Sequence, residues 1–146
     1  MVITQPLRIE TRERNYHLIN SIFTFIIVSI LTYSVFFTGN SHPIPALLTN
    51  VTGIVPPSKG LSQSFSEIVR GNLENALLIN IYSIRIFSFF AFQLLLRILF
   101  SILTRISSHK IILFALTDII ISTAFFLWSF APLITYTLNT FRNLVI

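Results

Sequence analysis

The 146 residues are 53% hydrophobic and only 10% charged, with a formal net charge of +5 and no cysteine. So apolar a chain cannot cover a soluble core with polar surface, and the missing thiols exclude disulfides, thiolate catalysis and zinc-finger spacing. The ten Lys and Arg residues scatter around the ends of apolar runs rather than forming a basic stripe, which argues against nucleic acid as a partner.

Three apolar runs, at 18–37, 86–103 and 111–131, are each close to the ~20 residues that carry a helix across about 30 Å of hydrocarbon. The fold expected is therefore all-α: three transmembrane helices in one membrane domain. Residues 1–17 form a polar N-terminal segment with Arg8, Glu10, Arg12, Glu13 and Arg14. The first span, 18–37, exceeds the core of a signal peptide and lacks a convincing small-x-small cleavage pattern, so it reads as a retained anchor.

Between 38 and 71 the character changes. All four glycines (Gly39, Gly53, Gly60, Gly71) and four of the six prolines (Pro43, Pro45, Pro56, Pro57) fall here, which rules out a continuous helix. One short helix is expected at 62–70. Ser64-x-x-Glu67 has the form of a capping box, Phe65, Ile68 and Val69 share a face, and Gly71 supplies a stop. Two turns with such a face suit a re-entrant or interfacial helix, or one packed on the ends of the spans.

Residues 72–104 are helix-permissive throughout, with Asn75, Asn80 and Arg85 marking a wet first third. A polar turn follows (Arg105, Ser107, Ser108, His109, Lys110), then the last span at 111–131 and a tail at 132–146. Trp128 and Tyr136 are amphipathic rings suited to an interface. Arg8, Arg12, Arg14, Arg105 and Lys110 fall on one side of three crossings, and Lys59, Arg70, Arg85 and Arg142 on the other. The N-terminal cluster and the short second loop weigh most, giving a cytoplasmic (or stromal-type) N-terminus.

Arg97 and Asp118 interrupt apolar spans, where each alone costs about 2.5–3.5 kcal/mol. Arg97 lies eight residues before Arg105 and Asp118 eight after Lys110, which puts both about 12 Å deep on adjacent antiparallel helices. An Arg97–Asp118 ion pair is predicted, with Gln93 one turn away as a further partner. One pair without a second acid is a poor proton pathway, so a structural staple is favoured over a relay. Arg85, about 30 Å from Arg105, is assigned to the opposite surface as an anchor or an anionic-lipid contact, and Lys59, just before the short helix, to the same kind of contact. His17, His42 and His109 occupy water-facing ends and share no helix face, and no Ser-His-Asp set can be assembled; no catalytic or metal site is expected. Phe87, Phe89, Phe90, Phe92 and Phe100, facing Phe125, Phe126 and Phe130, fill a helix interface or line a lipid, quinone or pigment groove. The cofactor is thus left unknown, with lipid or pigment as the candidates.

The stretch Thr52-Gly53-Ile54-Val55-Pro56-Pro57-Ser58-Lys59-Gly60-Leu61-Ser62-Gln63-Ser64-Phe65, followed by Arg70-Gly71-Asn72-Leu73 and Ala76, resembles a bacterial membrane family, domain of unknown function 2752, especially its cyanobacterial-type members. Those carry a Pro-rich lead into Cys-Gly-x-Thr-Arg-(Ser/Ala)-Phe, then Gly-(Asp/Asn)-Leu and an apolar helix. Here Lys59 stands at the cysteine position, Ser62 at the threonine and Gln63 at the arginine. Pro56, Pro57, Gly60, Phe65 and Gly71 remain. The resemblance implies a retained backbone shape without the reactive groups, and carries no activity over. The expectation is a non-catalytic accessory or scaffold subunit of a larger membrane complex; the resemblance implies a bacterial inner or thylakoid membrane and a photosynthetic or respiratory complex. The alternative is a small transporter or a lipid- or ligand-binding protein using Arg97 and Asp118.

Overall fold

The computed structural model describes residues 4–36 and 56–145. Every regular element among them is helical: α1 (Thr4–Phe36), α2 (Leu61–Val69), α3 (Leu73–Ile79), α4 (Ser83–Ile106) and α5 (Ile111–Val145), with one 3₁₀ turn (Ser108–Lys110) before α5. Three are long and apolar enough to cross a membrane, over Thr11–Phe36, Ser83–Ile106 and Ser108–Thr140. The expected 38–55 part of the Pro/Gly-rich segment, with His42, lies outside the described residues.

α4 is the centre of the bundle, with α1 and α5 both packed against it. Its buried positions are Ser83, Ile86, Gln93, Leu96, Arg97, Phe100 and Thr104, a helical spacing that keeps one stripe inward. α1 buries a narrower seam, Asn20, Ile27 and Ser34, at intervals of seven. Small or polar residues at such seams let helix backbones approach closely and hydrogen-bond in lipid. The phenylalanines fill the α4–α5 interface. Phe89 lies 5.3 Å from Phe130, 5.8 Å from Phe126 and 6.1 Å from Phe125, ring centre to ring centre.

Three helices differ from their expected bounds. α1 does not start near residue 17 but runs back through the polar segment to Thr4. No Gly or Pro occurs from residue 7 to 36, Glu10 precedes Arg14 by four residues, and Glu13 lies 3.8 Å from His17 one turn on. Pro6 falls in the first turn, where backbone N–H groups have no intrahelical acceptor. The 72–104 helix is instead two, because Asn80 is extended (φ −150°, ψ 114°). Its amide donates to the carbonyls of Pro57 and Lys59, both at 2.8 Å, and accepts from the Tyr82 N–H at 2.9 Å. A side chain bonding to neighbouring backbone offers an alternative to the helix, and here it clamps the loop that leads into α2.

The third difference is α5, which continues through Pro132 to Val145 instead of leaving 132–146 as a tail. Proline has no N–H for the carbonyl four residues back, which is that of Trp128. The Arg85 guanidinium donates to that Trp128 carbonyl and stacks 4.4 Å from the Trp128 ring centre. A donor from α4 thereby replaces the missing one, the means by which proline is tolerated in spanning helices. Half-buried Arg85 thus links α4 to α5.

α2 and α3 form a hairpin at the ends of α1 and α4. The expected capping box is absent. The helix begins earlier, after Gly60 (φ 79°), so Ser64 is already inside it and its hydroxyl donates 2.9 Å to the Gly60 carbonyl. A Cβ at Gly60 would lie 2.8 Å from Ile79 Cγ2, so both backbone angle and space call for glycine. At the other end Gly71 (φ 83°) closes a Schellman motif, with Asn72 N–H on Glu67 O and Gly71 N–H on Ile68 O, both at 2.9 Å. Phe65 is buried edge-on against Phe87 (5.3 Å) and Phe90 (5.9 Å), seating α2 on α4. Arg70 donates to Ser66 O at 2.6 Å and to Val35 O at 2.8 Å, placing positive charge at the C-terminal ends of α2 and α1.

The Arg85 substitution for a proline-freed bond has a measurable signature. Arg85→Met keeps the apolar stem and is expected to cost about 1–3 kcal/mol in detergent unfolding. In a Pro132→Ala background the new N–H takes the Trp128 carbonyl, and the same change should cost about 1 kcal/mol less. Equal costs in both backgrounds would show that Arg85 does not serve that carbonyl.

Candidate functional site

The candidate site is a polar cluster inside the bundle, drawn from all three long helices. α4 supplies Gln93 and Arg97, 6% and 8% exposed, and α5 supplies Asp118, 3% exposed, with Ser122 one turn on. Both helices begin or end at the same tight turn, so counting equal steps from it brings these groups level. The structure places Arg97 and Asp118 in an ion pair. The same guanidinium nitrogen reaches Ser122 Oγ at 3.0 Å and Gln93 Oε1 at 3.4 Å. Ser122 in turn donates toward Asp118 Oδ1 (3.1 Å) and Gln93 Oε1 (3.2 Å) as alternatives for its single proton.

α1 contributes two side chains that sequence reasoning missed. Tyr16 donates its hydroxyl proton to Asp118 Oδ2 at 2.9 Å. Asn20, 2% exposed, donates to the Arg97 carbonyl at 2.8 Å and to Ser101 Oγ at 2.5 Å. Phe23, the next turn along, has its ring centre 5.9 Å from the Arg97 guanidinium carbon. The available signal was Asn20, an amide two residues inside an apolar run, where a polar side chain needs a partner. At the membrane-surface end, His17 Nε2 lies 3.4 Å from Thr104 Oγ1.

The chemistry of the cluster is that of a closed charge pair. Both carboxylate oxygens of Asp118 are engaged, Oδ1 by Arg97 and Oδ2 by Tyr16. In a medium that supplies no water, an ion pair persists only when further hydrogen bonds satisfy what the pair leaves over. Within the cluster, three buried side-chain atoms remain without a partner: Asn20 Oδ1, Gln93 Nε2 and Arg97 Nε. All three residues line a cleft between α1 and α5, floored by α4, with a volume of about 880 Å³.

No family model, curated protein or solved structure matches this chain. The remaining site residues expected from sequence lie elsewhere. Arg85 is on Trp128, as described above. Lys59 is exposed immediately before the α2 N-cap, and its backbone carbonyl accepts from Asn80. His109 is exposed in the 3₁₀ turn.

Removing one partner of a buried pair leaves an uncompensated charge. Asp118→Asn is therefore expected to cost about 3–5 kcal/mol, while the double replacement Arg97→Met with Asp118→Leu recovers most of that loss. Tyr16→Phe removes one hydrogen bond to a charged group, about 1.5–3 kcal/mol. Melting temperature and cellular abundance read all three, and an Asp118→Asn protein as stable as the parent would remove the staple from the account.

Proposed function

We propose that this chain is a non-catalytic integral membrane protein serving as an accessory or scaffold subunit of a larger membrane complex, photosynthetic or respiratory. The observation that carries this reading is an apolar surface on the short hairpin. Leu73, Leu77 and Leu78 of α3 and Ile81 beyond it are all exposed, Leu78 at 85%. Lipid covers the outward side chains of the long helices, but α3 has seven residues and cannot span. Four exposed apolar side chains on a short, clamped hairpin suit a protein partner.

The intramembrane charges support the same reading, because Asp118 has both oxygens engaged and serves to hold three helices together. Transport through Arg97 and Asp118 is the weaker reading, since it requires a carboxylate free to exchange a proton or ion. The resemblance to domain of unknown function 2752 belongs with this proposal. The shared Gly60, Phe65 and Gly71 shape the hairpin that bears the exposed face.

The chain should migrate with a complex much larger than 16.7 kDa after extraction in mild detergent. Leu78→Lys should release it without lowering its own melting temperature. A free monomer in the parent membrane would overturn the subunit reading. We also propose that the N-terminus and the α4–α5 turn face the cytoplasm, since Arg12, Arg14, Arg105 and Lys110 gather at that end while Arg70 and Arg85 are bonded to helix carbonyls at the other. The chain lacks cysteine, so a single Ser108→Cys should react with an impermeant maleimide only in inside-out vesicles. Labelling of intact cells would invert the topology.

A further inference from the structure

A second groove, with a volume of about 550 Å³, runs between α1 and α4 and takes none of its lining from α5. Phe25, Val28, Ile98 and Ile102 line its length, and Arg105 stands at the end nearest the α4–α5 turn. Arg105 is exposed, and its guanidinium enters no hydrogen bond or ion pair among the described residues. Arg14, also exposed, lies two turns before Ser21 on the same face of α1. No carboxylate lines the groove, and Glu13, beside Arg14, is turned to His17 at 3.8 Å.

Two hydroxyls lie one turn deeper. Ser101 precedes Arg105 by four residues, about 6 Å along the helix. Ser21 is level with it, because α1 and α4 run antiparallel with His17 against Thr104 and Asn20 against Ser101. Thr24, Ser29 and Ser34 return their protons to the carbonyl four residues back. Exposed Ser21 does not, and it has no acceptor among the described residues. Ser101 accepts from Asn20, and its own proton likewise has no described acceptor. Donors at this level call for an acceptor that the membrane itself supplies.

Charge and spacing name the occupant. An unpaired cation at the membrane surface attracts an anionic headgroup. The polar zone on each side of the hydrocarbon is about 5–8 Å deep. A phospholipid whose phosphate meets Arg105 therefore brings its ester carbonyls to the level of Ser21 and Ser101. A zwitterionic headgroup would set its ammonium against two guanidiniums with no lining carboxylate to receive it, which favours a net negative one.

We infer that the α1–α4 groove holds one anionic phospholipid. Its phosphate sits on Arg105 with Arg14 beyond, its ester carbonyls accept from Ser21 and Ser101, and an acyl chain lies along Phe25, Val28, Ile98 and Ile102. This role goes beyond the subunit reading and does not rest on it. A chain that migrates alone yet retains the lipid overturns only the subunit. Detergent has no sides, so the outcome is also independent of topology.

The test titrates the full chain, in a neutral detergent, with phosphatidylglycerol or with phosphatidylcholine of the same acyl chains. Native mass spectrometry counts the lipid retained. A single phosphatidylglycerol per chain is expected, with phosphatidylcholine held about tenfold more weakly. Arg105→Gln should raise the Kd about tenfold, equivalent to about 1.4 kcal/mol, and Ser21→Ala about threefold, each at an unchanged melting temperature. Arg12 faces the α1–α5 cleft instead, so Arg12→Gln removes the same charge from the same end of the bundle and should leave the Kd within about twofold. Glycerophosphoglycerol, the headgroup without its chains, should not displace the lipid. Equal retention of both lipids, equal losses in Arg12→Gln and Arg105→Gln, or displacement by the chainless headgroup overturns the assignment. If Arg105→Gln does not fold, Ser21→Ala decides, and undiminished retention there overturns it as well.

Discussion

The Arg97–Asp118 pair constrains the arrangement of the bundle more than any other contact. A cation on α4 and a carboxylate on α5 cannot each face hydrocarbon, so the two helices must present these positions to one another at one depth. That requirement sets both the register of α4 on α5 and their rotation about their own axes. α1 is then recruited by what the pair leaves over. Asp118 Oδ2 takes the Tyr16 hydroxyl, and the Arg97 carbonyl takes the Asn20 amide. These bonds lie on the inward seam of α1, and with that seam turned to α4 the remaining face of α1 stands off from α5. The cleft is a consequence of three helices converging on one charge pair from two sides of α4.

The same demand for backbone and side-chain satisfaction explains the irregular parts. At three breaks or ends among the described residues, a polar side chain from elsewhere reaches a freed carbonyl. Arg85 serves Trp128 above Pro132, Arg70 serves Val35 at the end of α1, and Asn80 serves Pro57 and Lys59 ahead of α2. Water would satisfy these groups in a soluble protein at little cost. In a bilayer the chain must do so itself, and Arg70, Asn80 and Arg85 are accordingly bonded to helix ends and breaks. Arg85, a flank residue by position, accordingly bonds to a helix carbonyl.

Two surfaces are left with unmet chemistry. The α3 face is apolar and exposed on an element too short to span, and the α1–α5 cleft is lined mainly by apolar side chains. The first is the surface on which the subunit proposal rests. Both are held by rigid surroundings: the hairpin by Gly60, Gly71 and Asn80, the cleft by the ion-pair cluster.

Local features of the chain were legible in its residues alone. The three spans follow from apolar run length, the stop at Gly71 from glycine's access to positive φ, and the equal depth of Arg97 and Asp118 from counting helical rise away from one turn. Helix limits were less legible where a distant side chain altered them, as Arg85 does at Pro132 and Asn80 does after Ile79. The roles of Tyr16 and Asn20 were not legible, because they bond to residues 102 and 77 positions away. A helix has a fixed rise and a fixed 3.6-residue repeat, so depth and facing pattern can be computed from sequence. Which face of one helix meets which face of another depends on the joint packing of all of them, and only the assembled bundle decides it.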